Sequence, residues 1–252
     1  MHDIHSTGLL RTDSYIDGNW HSSSDLIPVI NPFDNSVICE VSNASEQEAT
    51  AAVVAAKRAL SSWSRLSAVS RAGILREWFN LIMKNQEELA YLLTLEQGKP
   101  LAEAKGEIAY GAGFIEWFSE EAKRVYGDTI PSPSADKRLV VIKQPIGVVT
   151  AITPWNFPNA MITRKAAAAL AAGCTFVVKP ALETPLSALA LAELAHRAGI
   201  PAGVFNVVVG DDAENIGKVL TQHFDVAKFT FTGSTAVGKL LLGKCAKGVK
   251  RV

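Results

Sequence analysis

Net charge is what this chain lacks first. Twenty-five Lys and Arg offset twenty-five Asp and Glu, so the formal charge at pH 7 is zero. The basic residues are scattered, which leaves no positive field for nucleic acid or an anionic membrane surface. Cysteine is scarce as well. Cys39, Cys174 and Cys245 lie far apart, with no C-x-x-C pair and no His at ligand spacing. That argues against a disulfide framework and a metal site, and it fits a reducing cytosol. Long apolar runs are missing too. The longest uncharged stretch, residues 144–163, is broken by Pro145, Pro154 and Pro158, which rules it out as a membrane helix. Met1-His2-Asp3-Ile4-His5 are polar, so no secretory leader is expected. What remains is 252 residues, 48% hydrophobic and 20% charged. Such a chain can bury a substantial core, and a cytoplasmic globular protein is expected.

Turn chemistry organises the first forty-four residues. Asp17-Gly18 reads as the tip of a hairpin between Tyr15 and Trp20, and residues 31–35 form a second turn cluster. Helical signals fill residues 45–127. Ser45 and Glu48 stand at capping-box spacing ahead of a helix over 47–60. Ile74, Leu75, Trp78, Leu81 and Ile82 share one face of the next, within 70–85. Further helices are expected over 86–96 and 101–126, with Gly127 as a stop. A Pro/Ser loop at 131–134 then leads to a strand over 138–143.

From residue 147 short apolar runs alternate with helical stretches. The runs are 147–153, 175–179, 204–209 and 228–232; the helices are 159–172, 186–198, 213–222 and 235–244. This rhythm indicates right-handed βαβ crossovers building a parallel sheet. Ligands of such sheets bind beyond the carboxyl ends of the strands.

Three strand ends carry candidate chemistry. The first runs into Thr153-Pro154-Trp155-Asn156-Phe157-Pro158, where the Asn156 amide either donates to a developing oxyanion or merely satisfies a tight turn. The second ends at Lys179-Pro180, a cation that either meets a ribose or phosphate or is simply solvated. The last opens a helix through Phe231-Thr232-Gly233-Ser234-Thr235. Its backbone N–H groups favour an anion, although every βα unit needs such a turn and cap. The G-x-G-x-x-G fingerprint is absent from the first βα turn. Periodicity alone stops at a parallel α/β domain with a nucleotide edge.

Taken together, residues 95–100 (Leu-Glu-Gln-Gly-Lys-Pro), 153–158, the Lys179-Pro180 loop and Phe-Thr-Gly-Ser-Thr at 231–235 resemble the aldehyde dehydrogenase superfamily. Residues 116–128 and 161–165 are most similar to its succinate-semialdehyde branch. The resemblance implies an α/β fold: a Rossmann-like parallel sheet with helices on both faces, the family's coenzyme-binding domain spanning 1–252, with 138–143 as an oligomerisation strand. It implies NAD(P)-dependent oxidation of an aldehyde to an acid, by a homo-oligomer. A cysteine thiolate attacks the aldehyde, and a glutamate-activated water releases the acid.

Carried over residue by residue, Asn156 matches the oxyanion donor and Lys179 the adenosine-ribose contact. Gly233 and Ser234 match the diphosphate turn, with Val237 near the adenine. Thr153, Pro154 and Trp155 would line the cleft, and Pro180, Ala181 and Leu182 form the ribose loop. Arg164 matches an arginine that holds the substrate carboxylate, a task suited to a guanidinium fork. The NAD-selective pattern places an acid three residues after the lysine. Here that residue is Leu182, with Glu183 one position later, so NADP is expected to be preferred or shared with NAD.

The family's glutamate and nucleophilic cysteine belong to segments that would follow Val252, and its catalytic domain is absent from these residues. Cys174 reads as buried packing, Cys245 as a surface cysteine beside Lys244 and Lys247, and Cys39 has no matching role. The chain thus resembles an amino-terminal half that is inactive alone. A second reading is a non-catalytic nucleotide-binding or assembly module that pairs with a longer relative. The strand at 228–232 would lie at or near a sheet edge, so self-association or poor solubility is expected on gel filtration. A clean, thermally stable monomer would contradict that expectation.

Overall fold

The computed structural model describes residues 8–252; Met1 to His5, read above as polar, lie outside them. Strands β1 (Ser14–Ile16) and β2 (Asn19–His21) form the expected hairpin. Asp17 and Gly18 take φ of +54° and +79°, the left-handed pair that a two-residue turn requires. Strands β3 (Leu26–Ile30) and β4 (Val37–Ser42) pair as a separate ribbon around the second turn.

Helix α1 (Glu46–Trp63) starts at the capping box, where the Ser45 N–H donates to Glu48 Oε2 at 2.6 Å. Helices α2 (Ala68–Lys84), α3 (Gln86–Gln97) and α4 (Leu101–Glu121) follow. The last is shorter than the periodicity predicts. It tightens into a 3-10 turn at Ala122–Arg124 and then meets the ribbon of β5 (Asp128–Ile130) and β6 (Leu139–Val141). A Cβ at Gly127 would lie 2.1 Å from the Val141 carbonyl oxygen, so only glycine fits where chain and ribbon meet.

The alternating part is β7 (Val148–Ile152), α5 (Ala160–Ala171), β8 (Thr175–Lys179), α6 (Pro185–Arg197), β9 (Phe205–Val207), α7 (Ala213–Gln222), β10 (Val226–Phe231) and α8 (Thr235–Ala246). The main sheet has the order β10-β7-β8-β9-β1-β2. Its first four strands are parallel, as expected, but β1 and β2 add to it antiparallel, so the sheet is mixed. The outer edge of β9 has bonding groups to satisfy. The hairpin meets them through Tyr15 opposite Val207, the Asp17 N–H on Asn206 Oδ1, and the Val209 N–H on Ser14 Oγ.

Alternate strand residues face two cores. Val149, Ala151, Phe176 and Val178 pack under α2 to α6, while Val148, Val177 and Phe229 pack under α1, α7 and α8. Buried indoles tie the helical layers together: Trp63 Nε1 donates to the Leu170 carbonyl at 3.1 Å and Trp78 Nε1 to that of Leu191 at 3.2 Å. Strand β10 closes the other side of the sheet. Outside it, Arg251 bridges Lys228 in parallel register, and the Phe229 N–H donates to the Arg251 carbonyl at 2.8 Å.

Trp78 is fully buried between α2, α6 and Phe205. Trp78→Ala is expected to lower the unfolding free energy by about 3–5 kcal/mol, measured by urea denaturation; a loss under 1 kcal/mol would contradict this packing role.

Candidate functional site

Register brings three of the candidate segments together. Phe231 pairs with Ile152, and Ile152 pairs with Lys179. The three strands therefore end level, within two strand spacings, or about 10 Å. Backbone bonds stitch the ends: the Thr153 N–H donates to the Lys179 carbonyl, and the Thr232 N–H to that of Ile152. Lys165 adds a side-chain tether, its ammonium donating to Thr232 Oγ1 at 2.6 Å. Burial, and then the nearby Arg164 charge, push the Lys165 pKa down.

Lys179 is buried, not solvated as the plainer alternative held. Among the described residues its ammonium makes a single hydrogen bond, a long one of 3.4 Å, to the carbonyl of Pro180. Burial pushes its pKa down, with Glu183 and Asp211 acting in the opposite direction. A buried ammonium with one weak acceptor favours any ligand oxygen that can reach it. Thr153 Oγ1 is also buried and without a partner beside it.

The four helices that follow the parallel strands begin at this edge, and their N-termini are satisfied differently. Glu107 Oε1 accepts the N–H groups of Asn159 and Ala160, at 2.9 and 3.2 Å, at the start of α5. Glu96 accepts those of Leu186 and Ser187, at 2.7 and 2.8 Å, at the start of α6. Asp212 accepts the Asn215 N–H at the start of α7. Of these four, only α8 is capped by a hydroxyl instead of an acidic side chain: Ser234 Oγ accepts the Val237 N–H at 3.3 Å. Gly233, Ser234 and Val237 are all exposed there. Among these four starts, an external anion thus meets no acidic side chain at α8 alone. Gly233 has a packing reason as well, since its Cβ would lie 2.4 Å from the Phe231 ring.

The Thr153–Pro158 region stands out from the edge. Trp155, Asn156 and Phe157 are exposed, and the Asn156 carboxamide makes no hydrogen bond among the described residues. The plainer role, satisfying the turn with that amide, is therefore not what the structure shows. Trp155 shares a cleft of about 480 Å³ with Leu182, Glu183 and Glu96. Pro180 is buried, whereas Pro154, Ala181 and Leu182 are half-buried.

Arg164 lies apart from that cleft, on a second one of about 440 Å³ that also holds Lys165, Lys228 and Cys174. Its guanidinium donates to Tyr110 Oη at 2.9 Å and lies 4.7 Å from the Phe114 ring centroid. Three cations face this pocket, and none of its lining residues is acidic.

The cysteines need one correction. Cys174 is buried, as expected, but Cys245 is fully buried in the core beneath α8, not on the surface. Burial pushes its thiol pKa up against the pull of Lys250. Cys39 is raised to about 11 by burial and by Glu96 and Glu40. Sequence reading missed the capping roles of Glu96 and Glu107. The available signal was an acid at a position where helical periodicity demands an apolar residue. Among the described residues, no group of three His, Cys, Asp or Glu is placed to hold a metal ion, and no helix is long and apolar enough to cross a membrane.

The crossovers and the four level helix starts define a doubly wound α/β protein with its binding edge beyond the strand ends. The aldehyde dehydrogenase family profile matches residues 20–252, and the chain belongs to that family. It is 58% identical to the 3-sulfolactaldehyde dehydrogenase of Pseudomonas putida, over 100% of this chain and 52% of that protein. It is 59% identical to the NADP(+) succinate-semialdehyde dehydrogenase of Escherichia coli K12, over 99% of this chain and 52% of that protein. A crystal structure described as an E. coli NADP-dependent enzyme superposes with a TM-score of 0.96 at 58% identity, covering 98% of this chain and 52% of the other. The chain spans about half the length of the curated relatives it matches.

Burial raises the Glu96 pKa to about 8, with the N–H groups it caps pulling the other way. A carboxyl raised in the fold stabilises it fully below the unfolded value of 4.5, and that contribution is lost as pH rises towards about 8. Glu96→Gln should remove this loss. Between pH 5 and 8.5 the variant is expected to gain on the parent by on the order of 2–4 kcal/mol of unfolding free energy. Parallel curves in pH-dependent urea titrations would refute it.

Proposed function

We propose that these 252 residues are the coenzyme-binding portion of an NAD(P)-dependent enzyme that oxidises an aldehyde to a carboxylic acid. The observation that carries the reading is the pairing of a buried, under-bonded Lys179 with the one helix start at this edge that no acid caps. Both fit a dinucleotide: the ammonium a ribose hydroxyl, the α8 N-terminus a diphosphate. Thr153 to Trp155 would form the wall between them, and Val237 would lie against the adenine. When bound, the coenzyme would supply the hydride acceptor. The Asn156 carboxamide, unbonded among the described residues, would donate to the oxygen of the reacting aldehyde, and as a neutral group it would stabilise the adduct without trapping it as an ion pair.

The substrate we favour is succinate semialdehyde or another aldehyde with an anionic tail. Arg164, with Lys165 and Lys228 beside it, offers a cationic pocket without a competing carboxylate. The names of both relatives, succinate-semialdehyde and 3-sulfolactaldehyde dehydrogenase, describe aldehydes of this kind. None of the three thiols suits nucleophilic attack: Cys174 and Cys245 are buried, and Cys39 is held far above neutral pH. The isolated chain is therefore proposed to bind coenzyme without turnover. The exposed apolar ribbon at Leu139 to Val141 would serve association in a homo-oligomer or with a longer relative.

Leu182 supports a preference for NADP or acceptance of both coenzymes, because it sets no acid against a 2′-phosphate at that position. Titration of the folded chain should show NADPH binding at least as tightly as NADH, and Lys179→Met should weaken both by about tenfold or more. NADH bound tenfold tighter than NADPH would overturn the NADP preference. Absence of binding by the folded chain would overturn the coenzyme role itself.

A further inference from the structure

We propose that Lys99 and Glu107 form a positioning pair that sets the place of the exposed turn at 155–157, and with it the Asn156 amide. Three exposed side chains in a row give this turn little packing of its own. Besides the Met161 N–H on the Phe157 carbonyl at 3.0 Å, one charged assembly beneath holds it. The Lys99 ammonium donates to the Asn156 carbonyl at 3.0 Å and to Glu107 Oε2 at 2.6 Å, and it lies 4.1 Å from the Phe157 ring centroid. A carbonyl oxygen, a carboxylate and a ring face all favour a cation at that point.

Glu107 completes the assembly from the other side. Its second oxygen accepts the N–H groups of Asn159 and Ala160. One ion pair thus grips the turn at residue 156 and again at 159–160. The pair is well enclosed, with side-chain exposures of 10% for Lys99 and 1% for Glu107. Its root is fixed as well. Gly98 ends α3 at a φ of +85°, and the Lys99 N–H donates to Gln97 Oε1 at 3.0 Å. The catalytic consequence rests on the oxyanion role proposed for Asn156; the clamp itself does not.

The test compares the 252-residue chain with its Lys99→Met, Lys99→Arg and Glu107→Gln variants. Hydrogen exchange of the peptide covering 153–162 and NADPH titration are the readouts. In Lys99→Met, exchange at 159–161 should quicken by about tenfold while that of β7 and β8 is unchanged, and NADPH affinity should fall by about fivefold as the cleft wall shifts. Lys99→Arg, which keeps a cationic donor, should restore both. Glu107→Gln should reproduce the exchange change; if that variant does not fold, the two lysine variants still decide the matter. Unchanged exchange in Lys99→Met would overturn the proposal. So would faster exchange throughout the chain with a lowered melting temperature, which would make the pair a general stabilising contact. A parent chain that binds no NADPH would sink the coenzyme reading and leave the exchange comparison to judge the clamp.

Discussion

Two glutamates brought in from the helical layer govern how the binding edge is arranged. A helix start carries unpaired N–H groups and a partial positive charge, so each of the four at this edge attracts an anion. Glu107 on α4 and Glu96 on α3 meet that demand at α5 and α6. Asp212 meets it locally at α7, which leaves the neutral Ser234 cap at α8. The edge thereby offers its own backbone donors to a ligand anion in one place. The same glutamates fasten the layer of α3 and α4 to the sheet, so architecture and selectivity rest on the same bonds.

Strand register supplies the second constraint. Because β10, β7 and β8 end level, Thr232, Thr153 and Pro180 emerge side by side, and the three loops share one rim. A shift of one residue in any pair would turn alternate side chains to the opposite face. The two cores prevent that shift, since Val148 and Val149 face different helical layers. The helical layers thus fix the rim from below, through apolar packing rather than through the site residues themselves.

The chain's fold was largely legible because its signals are local. The Asp17-Gly18 turn, the Ser45–Glu48 capping box and the alternation of apolar runs with helices each lie within a few residues, and each is found where periodicity places it. Where reading fell short, the missing term was distant in sequence. The antiparallel docking of β1 depends on Asn206 and Val209, nearly two hundred residues away. Helix α4 ends in a 3-10 turn at Ala122–Arg124 that no local stop signal marked, and the burial of Cys245 follows from how α8 packs on its core.

The candidate site divides along the same line. Sequence by itself determined which residue types stand at the strand ends: a lysine after β8, an asparagine between two aromatics after β7, and a glycine-serine turn after β10. Only the tertiary structure decided their state. Among the described residues it buried the Lys179 ammonium with a single long hydrogen bond, left the Asn156 amide without a partner, and set two distant acids beside the local Asp212 so that, of the four helix starts at this edge, α8 lacks one. Residue identity is carried by the chain, whereas burial, unmet hydrogen bonding and the sharing of a helix terminus arise only when segments far apart are brought into contact.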